Sequence, residues 1–357
     1  MDIVKEDVRP AVEKELEKEV DAMMAFELEH LKAELGMKKG KKKKGKKKKG
    51  KKKKGGKKKK QPPGMREASK HTPLQLLLHL EQNGIARRYP KAHIKDFIGE
   101  FNYLGSMLDN PREQMPDPSM AQIRQFVTEH AVFPQGSQLI KQRADLVKSM
   151  LFYGPPGTGK TMMVRSLCYE TSSLLLDLSP HATMGKYTER KGEELLVASC
   201  FRVAQEYQPA IIYIDECELV FPTKKKGKKK GAKKKKGGAN DPSRIKKAIT
   251  TYKKTFMNKD MRIMIVGCTS NPAEASTAEL KAFFDKRIYF PYPNYPTRLM
   301  MWNHFIKKHQ GKFTPQFPIS TLTHISEGYP AGSIEESCKQ VLTKYRIENV
   351  RKELNCV

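Results

Sequence analysis

The sequence predicts an α/β fold, a three-layer arrangement with a parallel sheet between helices, followed by an all-helical C-terminal segment. Three observations predict it. From Ser149 onward, short apolar runs (SMLFY, LLLDL, AIIYID, RIMIVGC) alternate with helical stretches at residues 160–171, 193–206 and 245–257, as strands joined by crossover helices do. The first run passes through a Gly- and Pro-rich turn into a helix, the place where a phosphate-cradling loop belongs. After Pro296 the pattern becomes helical only, as expected of a lid.

Taken in order, residues 1–37 read as an acidic amphipathic helix. No Pro or Gly occurs from 11 to 35, and Val12, Leu16, Val20, Met23, Met24, Leu28, Leu31 and Leu35 recur mostly at spacings of three and four. Residues 38–64, which repeat Gly-Lys-Lys-Lys-Lys from 40 to 54 and end in QPPG, predict a disordered Lys/Gly-rich linker. Residues 65–135 read as helical, with one apolar cluster at Leu74, Leu76, Leu77, Leu78 and Leu80 and another at Ile94, Phe97, Ile98 and Phe101. Residues 136–296 form the α/β core, interrupted by a disordered lysine-rich insertion at 224–238, and residues 297–357 form the lid.

The net charge of +30 over 357 residues invites a nucleic-acid reading, but 18 lysines lie in 38–60 and 10 in 224–236. Without them the charge is about +2. The folded part is nearly neutral, and the basic character belongs to two low-complexity tracts. These lack the interleaved aromatics and varied side chains that read bases, so any nucleic-acid binding would be nonspecific. Two linked tracts suit an extended polyanion. The six cysteines are scattered without a C-x-x-C pair, which implies a reducing compartment. No signal peptide or membrane span is read, and the expectation is a cytoplasmic protein.

Gly154-Pro155-Pro156-Gly157-Thr158-Gly159-Lys160-Thr161 fits G-x-x-x-x-G-K-[ST]. The glycines let backbone N–H groups approach phosphates at the positive end of a helix, Lys160 neutralises the β/γ-phosphates, and Thr161 ligates Mg²⁺. Fifty-five residues beyond Lys160, an apolar strand ends in Asp215-Glu216. Buried β-structure would not place two acids there for stability. Asp215 is assigned to Mg²⁺, through water, and Glu216 to the attacking water. The RIMIVGC strand ends in Thr269-Ser270-Asn271-Pro272, where Ser270 or Asn271 would reach the γ-phosphate; the alternative is a capped turn.

GPPGTGKT, IIYIDE, the TSNP strand end, FFDKRIYFPYPN and EGYPAGSIEE together resemble the AAA family of AAA+ ATPases. The lysine-glycine tracts and GSQLIKQRADLVKSMLFYGPPGTGKT look like the IQ-motif and AAA-domain proteins of cilia, counted among the nexin-dynein regulatory complex. The resemblance implies ATP and Mg²⁺ as ligands, residues 154–161 as the phosphate site, and Asp215 with Glu216 as the hydrolytic pair. It puts the sensor on Ser270 and makes Lys186-Tyr187 similar to the lysine-aromatic pair with which hexameric members grip substrate in a central pore. It also implies a cilium or flagellum axoneme as the location, with acidic microtubule tails or other axonemal proteins as partners.

Three departures shape the expectation. Where the family supplies arginines to a neighbouring subunit, this sequence has Lys281, Ala282 and Phe283, and Arg287 is read as bracing the fold. An arginine finger is worth about 10³ to 10⁵ in rate in related phosphoryl transfers, so slow hydrolysis is expected. The 224–238 insertion falls where hexameric members place a second pore loop, and no IQ motif can be read. The expected function is a slow ATPase acting as a regulatory or structural part of an axonemal assembly. The alternatives are a nucleotide-binding scaffold without turnover and an oligomeric remodelling ATPase.

Overall fold

The computed structural model describes residues 62–101, 117–187, 191–223, 241–313 and 317–355, together with Val20, Met23 and Met24, which are helical and exposed. The chain divides into two compact units, Met1–Lys58 and Lys59–Val357, and the sheet with its flanking helices belongs to the second. Apart from those three positions and residues 62–64, the readings of 1–64 as helix and linker lie outside the described residues, as does the 224–238 insertion.

After a single helical turn at Met65–Ala68, the second unit continues with α1 (Pro73–Gln82), started by a reciprocal cap in which Thr72 and Gln75 each accept the other's backbone N–H. Then come β1 (Ala86–Arg87), a single turn at Ile94–Asp96, and α2 (Met120–Val127), which Ser119 and Gln122 cap in the same way. The core runs β2 (Ser149–Tyr153), α3 (Lys160–Glu170), β3 (Leu174–Asp177), α4 (Gly192–Glu206), β4 (Ala210–Ile214), α5 (Lys246–Thr255), β5 (Ile263–Thr269), α6 (Thr277–Phe283) and β6 (Lys286–Tyr289). Four helices follow, α7 (Tyr295–Lys308), α8 (Ile319–Ile325), α9 (Ala331–Val341) and α10 (Lys344–Asn355).

The sheet order is β1-β3-β4-β5-β2-β6, parallel throughout except for β1, which pairs antiparallel with β3. Alternate side chains leave a strand on opposite faces, and the core divides accordingly. Leu151, Ile212, Ile214 and Ile265 pack with α4, α5, α6 and Leu76 and Leu80 of α1. Met150, Phe152, Ile211, Tyr213 and Val266 pack with α3 and with Ile123 and Val127 of α2. The C-terminal helices have their own small core, Met301, Trp302 and Phe305 of α7 against Ile334 and Cys338 of α9. The Trp302 indole donates to Ser326 Oγ at 3.0 Å, so its polar atom is satisfied inside that core.

Two parts of the sequence reading change. β1 and β6 carry no apolar run because each is a short edge strand; in β6 only Ile288 is buried, between the exposed Arg287 and the half-buried Tyr289. Residues 65–135 are not uniformly helical. The Ile94-to-Phe101 pattern yields one turn, with His93 N donating to Asp96 Oδ2 at 2.8 Å, and its apolar residues go to different destinations: Phe97 is buried and Phe101 is exposed. Nor do the five leucines form one cluster, since α1 buries Leu76 and Leu80 and leaves Leu74 and Leu78 in solvent. The described cysteines Cys168, Cys200, Cys217, Cys268 and Cys338 are buried free thiols, and no helix among the described residues is long and apolar enough to cross a membrane.

Lys141, in the helix Gln138–Arg143, is 1% exposed and its amine finds one acceptor, Val147 O at 3.3 Å. Burial lowers its pKa to about 8 from the ordinary 10.5. Between those values the unfolded chain binds more protons than the folded one, so stability rises with pH across that window. Lys141→Met should therefore be more stable than the parent near neutral pH, by on the order of 3 kcal/mol, and the advantage should shrink towards about pH 10. Urea denaturation at the two pH values measures it, and an advantage independent of pH would show that the buried amine carries no charge to relieve.

Candidate functional site

The site lies where β2, β4 and β5 end. β2 leads into a loop whose first residue, Gly154, has φ 151°. A Cβ there would stand 2.2 Å from the Phe290 carbonyl oxygen, so no other residue fits without moving the chain after β6. Gly159, at φ 92°, begins α3, and a Cβ would meet the Phe97 ring at 2.8 Å. Between them Thr158 Oγ1 donates to Pro155 O at 2.9 Å, closing the loop on itself. The loop thus curls around the N-terminus of an eleven-residue helix, whose free N–H groups face whatever the loop encloses.

Lys160 is buried, and its amine donates to Gly154 O at 2.8 Å and Pro155 O at 2.5 Å. Burial lowers its pKa, while the neighbouring Cys268, Asp215 and Glu218 act in the opposite sense. The ammonium is thus held by its own loop in a partly desolvated place, with acids nearby. Thr161, next along α3, is exposed.

β4 ends at Ile214, and Asp215 follows half-buried, its N–H donating to Ser179 Oγ at 2.8 Å and its carboxylate accepting from Glu216 N at 3.0 Å. Glu216 adopts a left-handed backbone, φ 48°, which costs a non-glycine residue about 1 kcal/mol and leaves its side chain exposed. Glu218, two residues on, is 8% exposed and its Oε2 has no partner; neither has Thr269 Oγ1, at the end of β5. Thr269 O accepts from Gly154 N at 3.3 Å, tying that strand end to the loop. Ser270 follows directly, half-buried, while Asn271 is exposed in a turn, its carbonyl accepting from Glu274 N at 3.1 Å. The structure therefore brings the loop, Lys160, Thr161, Asp215, Glu216 and Ser270 to three adjacent strand ends, with Asn271 exposed in the turn that follows.

Lys186 and Tyr187 make their contacts within the chain. The Lys186 amine donates to Asn83 O, just after α1, and the half-buried Tyr187 hydroxyl meets His79 Nδ1 at 2.9 Å. The Arg244 guanidinium donates to the carbonyls of Thr183 at 2.7 Å, Lys186 at 2.6 Å and Tyr187 at 3.3 Å. Both side chains are engaged by α1 and its C-terminal end rather than projecting as a gripping pair would. Lys281 and Ala282 are exposed, Phe283 is core, and Arg287 donates to Lys281 O at 3.4 Å, bracing the α6–β6 turn.

Sequence reasoning missed the groups that close over the loop. Phe97 packs beside Gly159, and Pro330 lies against Gly157, whose carbonyl accepts from Gly332 N at 3.0 Å. Only tertiary packing places them there. Glu218 had a signal, a third acid two residues beyond Glu216. The residues present fit a nucleotide with its cation: a cradle that a Cβ would fill, an ammonium partnered only by carbonyls, and an acid at the strand end. No group of three or more His, Cys, Asp or Glu among the described residues could hold an ion unaided, so a cation here would share phosphate oxygens.

A family model described as "ATPase family associated with various cellular activities (AAA)" matches residues 150–292. Dynein regulatory complex protein 11 of Mus musculus is 30% identical over an alignment spanning 100% of this chain and 43% of that protein. Spastin of Xenopus laevis is 31% identical over 54% of this chain and 30% of its own length. The chain thus spans less than half the length of these curated relatives. Among solved structures, the FIGL-1 AAA domain in complex with ADP superposes with a TM-score of 0.52 at 18% identity, over 80% of this chain and 84% of that one, which is a likeness of fold.

Gly154→Ala should destabilise the protein by about 2 kcal/mol or more and remove nucleotide binding, because the Cβ meets backbone that cannot swing aside. Gly136→Ala, where a Cβ meets nothing within 4 Å, should be neutral or stabilising by about 0.5 kcal/mol. Denaturation and fluorescent-nucleotide titration of both variants check this, and comparable behaviour of the two would refute the close approach at Phe290.

Proposed function

We infer, from the AAA ATPase domain that residues 150–292 constitute, that the chain binds ATP with Mg²⁺ and hydrolyses it slowly as a regulatory or structural part of an axonemal assembly of the nexin-dynein kind. The observation that carries this is the convergence on three neighbouring strand ends of a phosphate cradle, a lysine and a pair of acids.

In this reading the backbone of residues 154–159 and the N-terminus of α3 bind the phosphates. Lys160 exchanges its two loop carbonyls for phosphate oxygens, and Thr161 with Asp215 flanks the cation. Bound Mg²⁺ would neutralise charge developing on the transferred phosphoryl group. Glu216, exposed and without competing partners, orients or deprotonates the attacking water. Ser270 is the better sensor candidate than Asn271, because it directly follows the end of β5 and is half-buried. Phe97 and the Pro330–Gly332 turn would line the rest of the nucleotide, so the position of the C-terminal helices would respond to it.

Turnover is slow in this reading because residues 281–283 offer no arginine to a neighbour. Similarity to a dynein regulatory complex protein across the whole chain supports the axonemal setting, and the two lysine tracts suit acidic tubulin tails. The same missing arginines favour a second reading, a scaffold in which ATP is bound and not turned over. A threading hexamer is the least supported, since Lys186 and Tyr187 are already engaged.

Steady-state phosphate release by the full chain, with and without microtubules and beside Lys160→Ala and Glu216→Gln, tests the proposal. The expected result is slow turnover, raised by microtubules and lost in both variants, with Glu216→Gln still binding ATP. Tight ATP binding with no turnover in either condition would replace the enzyme with the scaffold.

A further inference from the structure

Tyr213 carries a buried polar group that neither the core nor the nucleotide-site residues account for. It lies in β4 two residues before Asp215, so the two side chains leave the strand on one face, the face that α3 covers. Its ring belongs to the apolar cluster of Met163, Val164 and Leu167 of α3, and only 6% of the residue is exposed. The hydroxyl oxygen is sealed from solvent and meets no donor or acceptor at hydrogen-bonding geometry. Its polar neighbours are the Thr161 hydroxyl, the Asp215 carboxylate and the Cys268 thiol. Phenylalanine would fill the same apolar space without leaving a desolvated oxygen, so packing alone gives no reason for the hydroxyl.

We propose that Tyr213 is a positioning residue for the cation side of the nucleotide site, its hydroxyl accepting the proton of the Thr161 hydroxyl and donating its own to Asp215. This rests on the reading that Thr161 and Asp215 flank Mg²⁺. A threonine that ligates a cation through a lone pair must direct its proton to some acceptor, and a carboxylate facing the same cation has lone pairs left for a donor. A neutral phenol is both acceptor and donor, and both groups neighbour it. A tyrosine phenol ordinarily ionises only near pH 10, so at neutral pH the group is a neutral hydroxyl. Both links are hydrogen bonds; no proton changes owner.

Tyr213→Phe in the full chain separates this role from a structural one through two quantities. These are the thermal midpoint without ligand and the ratio of affinities for a fluorescent ADP analogue in Mg²⁺ and in EDTA. The expected result is a midpoint unchanged or raised, because a buried unpaired oxygen is removed, with affinity in EDTA unchanged and the Mg²⁺ enhancement reduced by about tenfold. A lowered midpoint with the enhancement intact would overturn the proposal. Thr161→Ala, measured in parallel, should lose the enhancement. If it does while Tyr213→Phe keeps it, Tyr213 alone is refuted; if the parent protein shows no enhancement, the cation-site reading fails and the proposal with it.

Discussion

The parallel hydrogen bonding of β2, β5 and β4 sets the level at which three chain segments leave the sheet, and every group in the site inherits its place from that level. Tyr153 pairs with Thr269 and Ile214 with Gly267, so the phosphate loop, the two acids and Ser270 emerge side by side. A slip of one residue in β4 would turn Tyr213 and Asp215 to the opposite face, away from α3. The other end of β2 is fixed as firmly. The Asp285 carboxylate accepts from Lys148 N at 2.9 Å and Ser149 N at 3.0 Å, and takes the Lys253 amine at 2.7 Å. That amine also reaches Phe283 O, so one ion pair, its lysine buried and its carboxylate partly open to solvent, joins α5, α6 and the starts of β2 and β6.

How much of this was legible depended on whether the sequence signal was local. β2, β4 and β5 are buried on both faces and therefore read as continuous apolar runs, as inner strands of a parallel sheet do. The loop and the acids were legible because their chemistry fixes residue types at short spacing. β6 was not, because an edge strand has one covered side and Lys286 and Arg287 need no burial. The residues from Ile94 to Phe101 misled for a different reason. Their helix-like spacing serves two separate packing sites: Phe97 goes to the phosphate loop and Ile98 to the core of the C-terminal helices. Tyr187 illustrates the same limit, since its partner His79 lies 108 residues away.

The contacts that arrive from afar are those that give the loop a second function. The Gly157 carbonyl accepts from Gly332, and Phe97 leans on Gly159, so a segment between β1 and β2 and a helix after β6 share one short loop. Any rearrangement of that loop around phosphate must change its fit to both. The coupling needs no long pathway, because the two remote segments already touch the residues that would move.

The distribution of unpaired buried polar atoms carries the same logic into energetics. Among the described residues, Tyr213 Oη, Thr269 Oγ1 and Glu218 Oε2 lack partners and belong to β4, β5 or the turn beyond the acids; the other unpartnered buried side chains are Gln135, Arg202 and His309, while Trp302 and Ser149 are satisfied. An unmet polar atom in a dry place costs stability that a folded chain recovers only if something else binds there. Lys160 is the counterpart, a desolvated cation soothed by two carbonyls that it can leave. Unpartnered oxygens at Thr269 and Glu218 and an ammonium held by two carbonyls, gathered at one set of strand ends, are the groups that the proposed nucleotide and its cation would complete.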